Sequence, residues 1–389
     1  MKSINPQVAT IKESIFSKMT ALARVHQAIN LSQGFPDFEG PSFIREAIAE
    51  ASKDHRLGQY APMPGNPYLL ENLGHHYKNQ YDLNYSDKEI TVTNGATEGI
   101  MVTSLALIEP GDEVILFEPY YDSYPVAAEL AGAKIKIVTL KGPDFCWDSE
   151  ELEKAFSSKT KLVYFNNPHN PTGRVFTPAE LKELSELVIK HDAYILSDEV
   201  YEFLTFENHK HIPIMKLPGM RERTITTGSA GKTFGHTGLK VGWLAASEPI
   251  TKAIRMVHQF NVFSVNPMAQ YAVATGLEHV GTYIPEFQSL YNQKRLLLKE
   301  ILLEAGFSPC ETQGTYFTLV PLPQKAIDLG HTDISYCEEL IKKAKIATIP
   351  PSVFYRKSQE GTKYLRFCFA KSENLLNKTR VYLKSMLLA

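Results

Sequence analysis

The segment Thr226-Thr227-Gly228-Ser229-Ala230-Gly231-Lys232-Thr233-Phe234 carries the β-branched run Thr224-Ile225-Thr226-Thr227 into small residues and then presents one lysine. Gly228 and Gly231 let the backbone turn sharply and come close to a bulky ligand. Lys232 stands among small and apolar neighbours, where desolvation lowers an amine's pKa and yields a neutral nucleophile. Eight residues on, Lys240 lies in Thr237-Gly238-Leu239-Lys240-Val241-Gly242-Trp243. One cation can form a Schiff base while the other holds a phosphate. Taken alone, a lysine is most often a solvated surface group, so the rest of the chain must decide.

Outward from that segment, short β-branched runs alternate with helical stripes. Strands are expected at 90–93, 113–117, 134–139, 161–165, 194–197, 223–227 and 241–246, with helices at 97–108, 121–131, 149–156 and 178–191. This is the rhythm of an α/β fold with a mainly parallel sheet flanked by helices. Ligands of such sheets bind beyond the carboxyl ends of the strands, and each unusual motif falls just after an expected strand. Upstream, helices are expected at 14–28 and 41–52, and 59–67 is a loop rich in Pro and Gly. Downstream come helices at 251–260, 267–279 and 285–305, a strand at 316–320, a helix at 335–344, a strand at 364–369 and a helix at 373–388. The expected division is an N-terminal segment 1–35 belonging with the small domain, a large domain 36–280, and a smaller α+β domain 281–389.

Composition sets outer bounds. The 389 residues are 43% hydrophobic, ordinary for a globular chain with a full core. A formal net charge of −2 gives no reason to expect nucleic acid or an anionic membrane as a partner. Cys146, Cys310, Cys337 and Cys368 show no CxxC spacing, so reduced, packed thiols are expected and no metal site. Met1-Lys2-Ser3-Ile4-Asn5-Pro6-Gln7 lacks a signal-peptide core. A soluble, cytoplasmic protein is the expectation.

Four further motifs carry chemistry. In Val92-Thr93-Asn94-Gly95-Ala96-Thr97-Glu98-Gly99 a strand turns into a helix whose first N–H groups suit a phosphate, or make an ordinary turn capped by Thr97. Glu118-Pro119-Tyr120-Tyr121-Asp122-Ser123-Tyr124 sets tyrosines at a strand end, for stacking on a planar ring or for plain core packing. Asn166-Asn167-Pro168-His169-Asn170-Pro171-Thr172-Gly173 is a rigid loop that either aims the Asn170 amide at a ligand or simply turns. In Leu196-Ser197-Asp198-Glu199-Val200-Tyr201 the acid ends an apolar strand, to meet a cation or to cap a helix. Together they offer a phosphate cradle, a stacking ring, an acid for a pyridinium, groups for a phenolic oxygen and an amine for an aldehyde. Those are the features of pyridoxal phosphate.

The order of these motifs, together with Asn30-Leu31-Ser32-Gln33-Gly34-Phe35-Pro36-Asp37-Phe38 and Arg366-Phe367-Cys368-Phe369, resembles the class I/II aminotransferases of the aspartate-aminotransferase fold over nearly the whole chain. The likeness is nearest to the kynurenine aminotransferase and glutamine transaminase K group and, within it, to bacterial methionine aminotransferases. The resemblance implies a covalent aldimine of pyridoxal 5'-phosphate on Lys232, which also moves the substrate's α-proton. It implies that Asp198 keeps the pyridine nitrogen protonated, and that Tyr201 and Asn170 hydrogen-bond the phenolic oxygen. Ala96, Thr97, Ser229 and Lys240 would hold the phosphate, and Tyr121 would stack on the ring. Arg366 would clamp the substrate carboxylate with Asn170 and Gly34, where composition alone favours a structural ion pair. The family's site lies at a homodimer interface, so Tyr60 would reach the neighbour's phosphate and Phe263 the neighbour's substrate pocket. Phe16, Tyr60, Tyr121 and Phe263 would make the pocket walls.

The expected activity is ping-pong transfer of an amino group from methionine, aromatic amino acids or glutamine to a 2-oxo acid. Two rivals share the fold: a β-lyase acting on cysteine S-conjugates, and a non-enzymatic regulatory protein. The presence of Lys232, Asp198 and Arg366 together speaks against the second.

Overall fold

The computed structural model describes residues 13–387, with side chains as far as Lys384, together with Lys2, Asn5, Val8 and Ile11. Most of the stretch Met1 to Gln7, and Leu388 of the last expected helix, lie outside the described residues. The described strands are β1 (Ile29–Asn30), β2 (Ile90–Thr93), β3 (Glu113–Glu118), β4 (Lys134–Thr139), β5 (Thr160–Asn166), β6 (Tyr194–Asp198), β7 (Thr224–Ser229), β8 (Gly242–Ala245), β9 (Phe317–Pro321), β10 (Ile346–Ala347) and β11 (Tyr364–Cys368).

Seven of them form one sheet in the order β2-β8-β7-β6-β5-β3-β4. β8 alone runs against its neighbours β2 and β7; the other pairs are parallel. The reason is local. The 230–241 connection folds into a one-turn helix, Ala230–Thr233, and a 3-10 turn, Thr237–Leu239, with no crossover helix to carry the chain back along a face. Along β3, Val114 and Leu116 join the core under one face while Ile115 and Phe117 join the core under the other. That period-2 alternation of apolar with apolar marks a strand covered on both sides. Helices Ala96–Leu107, Ser123–Leu130 and Glu248–Asn261 contribute to one cover, helix Pro178–Lys190 to the other. Helix Pro178–Lys190 starts with a capping box between Thr177 and Glu180 and a proline in its first turn.

Beyond the large sheet, β9 and β11 pair antiparallel with Arg366 opposite Leu319. β1 pairs parallel with β10, which ties the segment after helix Ile15–Val25 to residues 346–347. Among the described residues no helix is long and apolar enough to cross a membrane, and no group of three or more His, Cys, Asp or Glu could hold a metal ion.

Several expectations are corrected. Helix Pro67–Tyr81 stands where the sequence suggested only the end of a loop; buried Asn72 and His76 interrupt its apolar stripe and hid the period. The helix expected from Pro285 begins at Val280, because the missing N–H near a helix start removes a single bond. The expected helix 335–344 is an α-helix over Asp333–Glu339 continued as a π turn over Leu340–Ala344. Cys337 and Cys368 are buried as expected, but Cys310 is only half-buried and Cys146 is exposed.

Candidate active site

The carboxyl ends of β5, β6 and β7 lie side by side, since Asn166 pairs with Asp198 and Asp198 with Thr227 in register. Just beyond these ends is a cavity of about 320 Å³. It is lined from the β5 end by Asn166 and Asn170, from the β6 end by Asp198 and Tyr201, and from the β7 end by Ser229 and Lys232. Ala96, Thr97, Tyr121 and Lys240 line it from the large sheet's other loops, and Phe16, Gly34 and Arg366 from the chain's two ends. Twelve of the fourteen expected site residues therefore meet in one place. The other two, Tyr60 and Phe263, do not line this cavity. They sit together on the surface, rings edge to face at 5.5 Å, with Tyr60 83% exposed.

Asp198 ends its strand almost fully buried. Tyr124 donates to its Oδ2 at 2.6 Å and the Val200 N–H to its Oδ1 at 3.3 Å. No described cation forms an ion pair with it, and burial raises its pKa from 3.8 to about 6. No helix begins at Asp198, so the cap alternative falls. Lys232 shows the opposite shift: desolvation lowers its amine from 10.5 to about 8. Its Nζ donates to the Tyr316 hydroxyl at 2.8 Å and to the Gly34 carbonyl at 3.3 Å.

Arg366 is 1% exposed and has no described carboxylate partner, which removes the ion-pair alternative. Its Nη1 donates to Asn170 Oδ1 at 3.0 Å and its Nη2 to the Ser32 carbonyl at 2.9 Å, while its buried Nε has no partner. The guanidinium lies 4.0 Å from the Phe317 ring centroid and 5.1 Å from that of Phe16. Burial lowers its pKa to about 10, so it stays charged near neutrality and calls for an anion. Arginine has donors only, so Asn170 must turn its oxygen towards Arg366, which leaves the amide NH2 for the cavity. The backbone N–H of Asn170 is held by Asn166 Oδ1 at 2.7 Å.

The start of helix Ala96–Leu107 has Gly95 as its cap, at φ +78, and not Thr97. A Cβ on Gly95 would lie 3.2 Å from Lys240 Nζ. A Cβ on Gly242 would lie 2.6 Å from the Gly95 carbonyl carbon and 2.7 Å from the Ala96 nitrogen, both backbone atoms. Glycine at these positions lets backbone N–H groups and an ammonium converge on one spot, which suits a phosphate. Gly242→Ala is therefore expected to lower stability by about 1–3 kcal/mol in urea unfolding and to weaken phosphate-ester binding by isothermal titration. An unchanged affinity would show that the cradle is not built on this contact.

Sequence reading missed Tyr124, Asn166 and Tyr316. Tyr124 lay inside a quoted motif, and a buried acid such as Asp198 needs such a donor. Asn166 also lay inside one; it donates to the Asp198 carbonyl at 2.8 Å while holding Asn170. Tyr316 sits 84 residues from Lys232, and nothing local marks it.

A family model described as aminotransferase class I and II matches residues 26–379. The methionine aminotransferase of Escherichia coli is 40% identical over 373 residues, covering 95% of this chain and 94% of its own. A kynurenine–oxoglutarate transaminase of Dictyostelium discoideum is 36% identical over 408 residues, covering 96% and 94%. An Escherichia coli crystal structure described as identifying a methionine aminotransferase function superposes with a TM-score of 0.93 at 37% identity, over 99% of this chain and all of that one.

Proposed function

The chain belongs to the class I and II aminotransferases, and on that premise we propose that it moves the amino group of methionine, an aromatic amino acid or glutamine to a 2-oxo acid, with pyridoxal phosphate as cofactor. The observation that carries this reading is the pair of opposed titrations facing one cavity. Asp198 is an acid held high by burial without an ion pair among the described residues, and Lys232 is an amine held low. The donor set fits the cofactor: the glycine-lined helix start with Lys240 suits its phosphate, Asp198 its ring nitrogen, Tyr121 its ring face, and Tyr201 with the Asn170 NH2 its phenolic oxygen. When bound, pyridoxal phosphate supplies a carbonyl carbon that exchanges amines and a ring that withdraws electrons from the substrate's α-carbon.

The chain's own groups do the rest. Lys232 would hold the cofactor through that carbonyl carbon and, with its amine free, would take the proton from the substrate's α-carbon and deliver it to the former carbonyl carbon. The Asp198 carboxylate holds a proton at the ring nitrogen. Arg366 fixes the substrate carboxylate through its outer nitrogens, with Asn170 beside it. The first product leaves before the second substrate enters, so the two share one site in turn. Phe16 and Tyr121 line the cavity and suit a bulky apolar side chain. The names of the two relatives described above point to the same substrate class.

We also assign the segment 1–35 to the small domain 281–389 and residues 36–280 to the large one, a division supported by the β1–β10 pairing. A homodimer is part of the same reading. Tyr60 and Phe263 pack edge to face on the surface and Phe260, three residues before Phe263, is 85% exposed; a second copy would cover these apolar groups.

The test is to load the protein with pyridoxal phosphate and add methionine without any oxo acid. One oxo acid released per site, and no more until a 2-oxo acid is supplied, is the expected result. Continuous acceptor-free release of pyruvate and ammonia from a cysteine S-conjugate, with no transfer, would mean a lyase. A kcat/KM for methionine below that for aspartate would sink the substrate assignment. Arg366→Lys is expected to raise KM for the amino acid about 10- to 100-fold, since a lysine cannot present two parallel N–H groups; a KM within twofold of the parent would remove Arg366 from this role.

A further inference from the structure

We infer that Tyr316 is a positioning residue that holds the free amine of Lys232, its hydroxyl set between that amine and the Gly34 carbonyl. The inference rests on the proposed transfer reaction, in which Lys232 alternates between a bound and a released amine. Tyr316 is 1% exposed. Its O–H donates to the Gly34 carbonyl at 2.5 Å, and its oxygen accepts from Lys232 Nζ at 2.8 Å. Lys232 Nζ reaches the same carbonyl at 3.3 Å, closing a three-membered ring of hydrogen bonds.

The count of hydrogens decides which electrons of the amine are free. A neutral lysine amine has two N–H groups and one lone pair. Tyr316 and Gly34 accept the two N–H groups, so the lone pair is left uncommitted by this ring. That is the state needed to take a proton from a carbon: the C–H bond breaks, its electrons stay with the carbon, and a third N–H forms. The proton is then delivered to a second carbon, where a C–H bond forms as the N–H bond breaks.

The backbone around Tyr316 is built to place it. Thr315, a β-branched residue, is held at φ +63, a conformation such residues rarely adopt. Its N–H is bound to the Leu204 carbonyl at 2.8 Å, and the Tyr316 carbonyl accepts from the Phe369 N–H at 3.0 Å. The Tyr316 ring meets that of Tyr201 edge on at 5.3 Å and stacks near Tyr291 at 6.1 Å. On the other side, a Cβ on Gly34 would lie 3.2 Å from the Tyr316 ring and 2.6 Å from that of Phe317, so only glycine brings its carbonyl this close.

The experiment compares Tyr316→Phe with Tyr291→Phe, which removes a hydroxyl from the neighbouring buried ring. In the cofactor-free protein, acylation of Lys232 by acetic anhydride is followed against pH by peptide mass spectrometry. The parent should show a midpoint at about 8. Tyr316→Phe should move it down by roughly half a pH unit or more, because the ammonium gains more from an acceptor than the neutral amine does. In the loaded enzyme, kcat for methionine should fall about 10- to 100-fold, the loss expected for one hydrogen bond to the reacting group. KM should stay within about threefold, and the α-deuterium isotope effect on kcat should rise as proton transfer becomes limiting. Tyr291→Phe should leave all of these unchanged. An unmoved midpoint with unchanged kcat in Tyr316→Phe overturns the inference, as does a Tyr291→Phe that matches it. A parent enzyme that reacts at Lys232 with the expected midpoint but moves no amino group would sink the proposed reaction and leave the amine's placement standing.

Discussion

Lys232→Ala is expected to cut single-turnover conversion of methionine by at least about 10³-fold, since the residue supplies both the attachment point and the base. Lys232→Arg should be equally inactive. It keeps a cation in the same place, but a guanidinium does not deprotonate in a protein and offers no lone pair. The pair of variants therefore separates charge from nucleophilicity, which matters because Lys240 lies close by and already provides a cation. The measurement is rapid-mixing oxo-acid release from the loaded protein, with folding checked by thermal unfolding. A Lys232→Arg variant that kept more than a tenth of parental turnover would show that the site needs only charge there.

Asp198→Asn pulls activity and stability in opposite directions. An amide cannot hold a proton at a ring nitrogen, so kcat should fall by about 10² or more. The cofactor-free protein, however, should become more stable. The folded carboxyl titrates at about 6 against 3.8 when free. Between those pH values the folded chain binds more protons than the unfolded one. Stability contributed at this site is therefore present at low pH, falls as pH rises from about 4 to about 6, and stays lost above. At pH 8 the burial of the charged form costs up to about 3 kcal/mol, since each tenfold change in proton affinity is worth about 1.4 kcal/mol. Asparagine avoids that cost while still accepting from Tyr124. Urea unfolding at pH 5 and at pH 8 should show the gain growing with pH. A variant less stable than the parent at pH 8 would mean that Asp198 is ionised at a profit to the fold, through Lys232.

Much of the α/β frame was legible because its strands are covered on both faces. Runs such as Val114-Ile115-Leu116-Phe117 are short, rich in β-branched residues and bounded by turns carrying Gly and Pro, which marks them as strands. Helix Pro67–Tyr81 escaped notice because buried Asn72 and His76 break its apolar stripe. The two-residue strands β1 and β10 are too short to give any period at all. In the candidate site, residues at strand ends could be named in advance, since an acid, amide or lysine following an apolar run is unusual in itself. Tyr316 could not, because an aromatic entering a buried strand is what core packing also demands.

By itself the sequence determined which groups would be present and on which strand ends, because where an apolar run stops and a turn begins are local properties. The tertiary structure alone decided their electrical state. Asp198 is raised and Lys232 lowered by the desolvation that packing imposes, and no described carboxylate comes into ion-pair contact with buried Arg366. It also decided partnerships across long gaps in the chain. Lys232 meets Gly34 across 198 residues and Tyr316 across 84, and Arg366 meets Asn170 across 196. Pairings of that kind arise when separate elements close on one cavity, and no local pattern of residues encodes them.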